Sequence, residues 1–261
     1  MMTVWLVLYA KEMMELWRSR KWIWVPLVFV LLGVSQPIMT YYLPDILQAA
    51  GSLPEGTVIE IPKPTGAAVL AQTLSQYGML GVLILILSVM GVVSAERASG
   101  AAGLVLVKPV SFASYITAKW AASITIGVVS FAAGYASSWY YTELLIGSVE
   151  PVRFLHSMLL YGLWLAFVVT VAVMFSSVMS GSGAIAFLSV GIVALLSVLA
   201  GALRRYMEWS PGTISGHAAA VLNDGTAGSG LPLAMAVTIA AVAAMLWLAV
   251  RLLGRKELLP S

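Results

Sequence analysis

Six apolar stretches, 22–42, 77–95, 113–143, 155–178, 183–203 and 232–252, recur along the 261 residues of this chain. Each is long enough to cross a bilayer, whose hydrocarbon core of about 30 Å takes roughly 20 residues of α-helix. Inside that core no water is available to the backbone, so every N–H and C=O must find a partner within the protein. A helix meets that condition locally, and the stretches therefore predict an all-α, polytopic integral membrane protein with six transmembrane helices. Charged residues make up only 10% of the chain, against roughly 25% in soluble domains, and what lies between the spans is too short for a separate soluble unit. Residues 1–261 read as one transmembrane domain.

The basic residues orient it. With the N-terminus in the cytoplasm and an even number of spans, the inner segments hold ten: Lys11, Arg18, Arg20, Lys21, Arg97, Lys108, Lys119, Arg251, Arg255 and Lys256. The outer segments hold four, Lys63, Arg153, Arg204 and Arg205. The positive-inside rule then predicts that both termini are cytoplasmic. The pI near 9.2 reflects this sidedness rather than nucleic-acid binding. No cleavable signal peptide is expected, because Lys11, Glu12, Glu15 and Arg18 interrupt the first apolar residues.

Residues 1–21 read as an amphipathic elbow helix lying in the headgroup plane. Lys11, Glu12, Glu15 and Arg18 share one face, and Trp5, Tyr9, Met13, Leu16 and Trp17 share the other, which faces membrane lipid. The longest outer loop, 43–76, is broken by Pro44, Pro54, Pro62 and Pro64; it reads as a connector or an outer gate, with a small interfacial helix at 66–76. Gly78 and Gly81 would admit a neighbouring helix to the second span. A short helix is expected at 217–222.

Several chemistries are excluded. The absence of cysteine removes disulfides, thiolate catalysis and sulfur-bound metal. His156 and His217 are far apart in sequence, so no metal site and no catalytic residue are expected. Every charged residue can be placed at a span end or in a loop, which argues against a carrier driven by its own ion coupling. The chain has no nucleophile elbow and no phosphate-binding loop, so any ATP and its magnesium must be held by another chain.

One stretch departs from the rest. Residues 96–111 carry charge and glycine between the second and third spans, with Gly100 and Gly103 loosening the backbone and Pro109 stopping the helix they precede. Ser111 is the expected N-cap of the third span. On the residues alone the stretch is either a short surface helix offered to a partner or the capped end of the second span, with Glu96 and Arg97 a solvated pair.

Lys11-Glu12 in the elbow, Glu96-Arg97-x-x-Gly100, Leu106, Pro109-Val110-Ser111, Tyr115 and Lys119 resemble the permease subunits of ABC-2 type transporters. Ala101 stands where that family usually has threonine. The resemblance implies a half-transporter: a permease without an ATPase site of its own, paired with a second permease chain and an ABC ATP-binding subunit in the cell membrane. It makes 96–111 a cytoplasmic coupling helix, with Glu96, Arg97, Gly100, Leu104, Lys108 and Pro109 coupling to the nucleotide-binding subunit and the elbow beside them. Its non-transport alternative is a membrane anchor or regulator holding a cytoplasmic protein.

Overall fold

A computed structural model of the chain describes residues 2–49, 64–106 and 110–255. Among them every regular element is helical, and six helical stretches are long and apolar enough to cross a membrane: Lys21–Ile46, Gly66–Ala98, Phe112–Leu145, Pro151–Val178, Ser182–Ala202 and Leu231–Leu253. The elbow is α1 (Met2–Arg18), joined to α2 (Lys21–Ala49) by a tight turn in which Arg20 takes φ 58°, a left-handed conformation uncommon outside glycine.

The second span differs from its expected form. It begins with α3 (Gly66–Gln76), capped by Thr65, whose hydroxyl accepts from the Ala68 N–H at 3.2 Å. It passes through one π-helical turn, Tyr77–Gly81, into α4 (Val82–Val89). The expected interfacial helix at 66–76 is thus the first part of the span. Val69, Leu70, Thr73 and Leu74 are buried there and hold it inside the bundle. Of the expected outer loop, residues 50–63 lie outside the described residues.

Two short helices follow, α5 (Ser94–Ala98) and α6 (Ala101–Leu106), then α7 (Phe112–Leu145), α8 (Pro151–Val178) and α9 (Ser182–Ala202). Ser111 caps α7 by accepting from the Ser114 N–H at 3.1 Å. After α9 the chain turns back through a 3₁₀ turn, Pro211–Thr213, into α10 (Ile214–Asp224), longer at both ends than the expected 217–222. The last span is α11 (Leu231–Leu253).

The most extensive contact in the molecule is between α2 and α7. It is set by Gly33 and Gly134: a Cβ on Gly33 would lie 2.6 Å from the Tyr77 hydroxyl and run into the Gly134 carbonyl. Backbones approach this closely only where side chains are missing. Tyr77 donates to the Phe29 carbonyl at 2.8 Å beside the crossing, and its ring packs on Phe29 and Phe131, which continue through Tyr135 and Tyr161 into a buried aromatic core. α8 runs through the middle, while α9 and α11 turn Phe187, Leu195, Leu233 and Trp247 outward. Ser123, Thr125, Thr170 and Thr238 return their hydroxyls to carbonyls of their own helices, which satisfies them inside the membrane-spanning segments.

Candidate coupling site

At the end of the bundle where α1, α5 and the start of α7 meet, four charged side chains are drawn together. The reason lies partly in α1. Trp5, Tyr9 and Glu12 fall at i, i+4 and i+7, one face of a helix. Trp5 and Tyr9 stack at 5.5 Å; the indole donates to the Thr117 hydroxyl at 3.0 Å, and the phenol bonds to the Thr125 hydroxyl at 2.9 Å. That face lies on α7, so Glu12 is carried into the protein, where 5% of it is exposed. The elbow's expected split is changed: Glu12 leaves the solvent face, while Val4, Leu6, Val7, Met14 and Trp17 form the apolar set left exposed.

Lys119 lies on α7 beyond Tyr115 by one turn and is only 1% exposed. Its ammonium group donates to Glu12 Oε1 at 2.9 Å and pairs with Glu96 Oε1 at 3.0 Å, and it stands 5.1 Å from the centre of the Tyr115 ring. The other Glu96 oxygen accepts from the Tyr115 hydroxyl at 2.6 Å. Lys11 closes the cluster, donating to Glu12 at 3.0 Å and to Glu96, with Glu15 at the rim 3.5 Å away. Partial burial opposes the charge on Lys11, but its bonds to Glu96 and Glu12 and their negative charges outweigh this and raise its pKa.

α5 is fixed from the other side. Its first N–H groups have no helical acceptor, and the Ser176 hydroxyl of α8 accepts from both Val93 and Ser94 at 3.1 Å. The Arg97 guanidinium donates to the Ser177 carbonyl at 2.9 Å, satisfying an acceptor at the end of α8. Gly100, at φ +74°, then ends α5 and lets α6 leave at a new angle. The helix expected after Gly100 and Gly103 is α6, which begins directly after Gly100 and takes Gly103 into itself, while Glu96 and Arg97 belong to a separate helix, α5, before Gly100.

Glu96 and Arg97 both bond within the chain, and Arg18 is exposed with no side-chain partner among the described residues. Leu104 lies on α6; Lys108 and Pro109 lie outside the described residues. Sequence reasoning missed the roles of Lys119, Tyr115 and Ser176. Lys119 gave a signal, because a lysine two turns inside an apolar span needs a counter-charge. Glu12, Glu15 and Glu96 place oxygens within 4.8 Å of one another, a spacing that can hold a metal ion. Two lysines already occupy that space, so the arrangement is an ion-pair cluster that ties three helices into one unit.

With this geometry in view, the comparisons with known proteins decide the family. The profile described as ABC-2 family transporter protein matches residues 6–207, which include most of the elbow, the cluster and the first five spans. The chain belongs to the ABC-2 family of transporter proteins. This ABC-2 family chain is also 38% identical over 224 residues to the uncharacterized transmembrane protein YxlG of Bacillus subtilis (strain 168), covering 86% of this chain and 87% of that one. Family, relative and six apolar helices together make this ABC-2 protein a multi-pass protein of the cell membrane.

Proposed function

We propose that the chain is the permease subunit of an ATP-binding cassette transporter, exporting a substrate or drawing it out of the membrane with ATP hydrolysed on a separate nucleotide-binding subunit. ATP and magnesium belong to that subunit, and a second permease chain, identical or paralogous, completes the pathway. The observation that carries this reading is the cluster of Lys11, Glu12, Glu96 and Lys119, into which α5 contributes Glu96. A push on those short helices from the cytoplasm reaches α1 and α7 through bonded side chains and reaches α8 through Ser176 and Arg97. Such a unit transmits a rigid-body movement. Glu96 acts in it as a strut, and the exposure of Ser99 at the end of α5 supports a docking face for the ATPase there.

The test uses the fact that the chain has no cysteine. A Ser99→Cys variant, co-expressed with an ATP-binding subunit, is expected to cross-link to it, and the purified complex to hydrolyse ATP and move substrate in vesicles. Transport by the chain alone, or labelling of the introduced thiol from outside the cell, would overturn the proposal. An ATPase that docks without turning over would make the chain an anchor instead.

A further inference from the structure

The opposite end of the bundle carries a second site. A pocket of about 280 Å³ opens between the last turns of α9, the first turn of α10 and the Gly228–Gly230 turn that leads into α11. Three glycines shape it. A Cβ on Gly212 would lie 2.8 Å from the Leu196 carbonyl, one on Gly228 3.2 Å from the His217 ring, and one on Gly230 3.0 Å from Glu208. At Gly228 and Gly230, therefore, the lack of a side chain leaves room for polar groups on the facing wall.

Those polar groups are without partners. His217 lines the pocket, is 6% exposed, and its Nδ1 is buried with no hydrogen bond among the described residues. Buried side-chain nitrogen atoms nearly always have a partner, and one that lacks it beside a cavity points to something that enters the cavity. Arg204 and Glu208 line the same space with opposite charges, yet neither forms an ion pair among the described residues. Burial and the nearby Arg204 hold the His217 pKa below its ordinary value, with Glu208 opposing in part, so the ring is neutral and can hydrogen-bond without adding charge.

We infer that this pocket binds a small zwitterion: Arg204 and the first turn of α10 take its acid group, Glu208 takes its ammonium group, and His217 Nδ1 makes the third polar contact. A simple anion would face Glu208 and a simple cation would face Arg204; only a ligand carrying both charges satisfies both. The volume suits a molecule at the small end of the range for ligand sites, roughly 300 Å³. Joined amine and phosphate groups occur both in free metabolites and in aminophospholipid headgroups. The site is separate from the coupling cluster and does not depend on the proposed role of that cluster.

Because His156 and His217 are the two histidines of the chain, selective ¹³C labelling of histidine reads the site directly, and His156→Gln assigns the signals. Phosphoethanolamine titrated into the full chain in detergent tests the free source. Nanodiscs of phosphatidylethanolamine against phosphatidylglycerol test the headgroup. The expected result in at least one arm is a saturable shift of the His217 signal with His156 unmoved. Ethylamine and methyl phosphate should each leave it unchanged. Arg204→Gln and Glu208→Gln should each weaken binding at least tenfold, and Gly228→Ala should weaken it by crowding the ring. Both charged side chains are exposed, so an unchanged melting temperature should show these variants folded. No saturable shift in either arm, an equal shift with a singly charged probe, or binding that survives both charge substitutions would overturn the assignment.

Discussion

The two ends of this molecule treat charge in opposite ways. At one end Lys11, Glu12, Glu96 and Lys119 are buried or half-buried and each is bonded to another of the four, over sequence separations of up to 107 residues. At the other, Arg204 and Glu208 are exposed and His217 is buried, and none has a side-chain partner among the described residues. A bonded cluster resists separation of the helices that supply it. An unbonded set leaves its capacity for an incoming molecule.

The largest expected effect breaks the first end. Lys119→Met would leave the Glu12 and Glu96 carboxylates buried with only the half-exposed Lys11, and losing one member of a buried ion pair costs about 3–5 kcal/mol. Thermal unfolding in detergent should show a large drop in Tm, partly restored when Glu12→Gln is added. A Tm unchanged by Lys119→Met would mean that the cluster holds nothing together. Next comes the helix crossing between the two ends. Gly134→Ala drives a Cβ against the Phe29 carbonyl and to 2.5 Å from the Tyr77 hydroxyl, and overpacking of this kind costs about 1–3 kcal/mol. The same unfolding assay checks it, with Gly162→Ala, which meets no atom within 4 Å, as the neutral control.

A smaller effect is expected at Gly100. A Cβ there touches nothing, but φ +74° costs a side-chain-bearing residue about 1–2 kcal/mol. Gly100→Ala should therefore lower Tm by a few degrees, less than Gly134→Ala, and on the proposed function it should also lower the coupling ratio of transport to ATP hydrolysed. The smallest effects are those of pH, and they sharpen the contrast. His217, with its pKa lowered on folding, contributes stability that is full above its unfolded value of 6.5 and is lost as pH falls through the folded value. Lys11, with its pKa raised, contributes stability that is full below 10.5 and is lost as pH rises through the folded value. Hydrogen exchange should thus loosen the α10 end first in mild acid and the α1 end first in strong alkali. His217→Gln should remove the acid response alone.

The spans were legible in the sequence because membrane crossing demands length and hydrophobicity, and both are properties of consecutive residues. The start of α7 was legible too, because Ser111 is a capping residue before an apolar run. What escaped were features that depend on two distant stretches meeting. Glu12 looked like a solvent-facing member of a polar stripe, since periodicity says which residues share a face but not what that face meets. Nothing local to Gly33 or Gly134 marks them as partners, whereas Gly78 and Gly81 did look like contact glycines; they lie in a π-helical turn, where a Cβ on Gly81 would come 3.3 Å from the Phe29 ring and one on Gly78 3.5 Å from the Tyr161 hydroxyl. The 66–76 segment was misjudged because its two glutamines and its threonine lower its hydrophobicity, although Gln72 and Gln76 bond to α2 and Thr73 to Ser138. The stretch from Glu96 to Gly100 was found for its unusual composition. Its inward-facing carboxylate was not, because that requires knowing where Lys119 and Tyr115 lie.

Where Gly33 and Gly134 meet, α2 and α7 touch main chain to main chain, with the Tyr77 hydroxyl of the second span bonded to the Phe29 carbonyl of α2 beside the joint. Sliding one helix along the other would push a bulkier neighbour into a gap with no room for a methyl group, whereas swivelling about that point disturbs little. The pair is thus a pair of scissors with its rivet in the hydrophobic interior. On the proposed coupling role, force arriving at the Lys119 handle would leave the far blade as a change of angle rather than a change of depth.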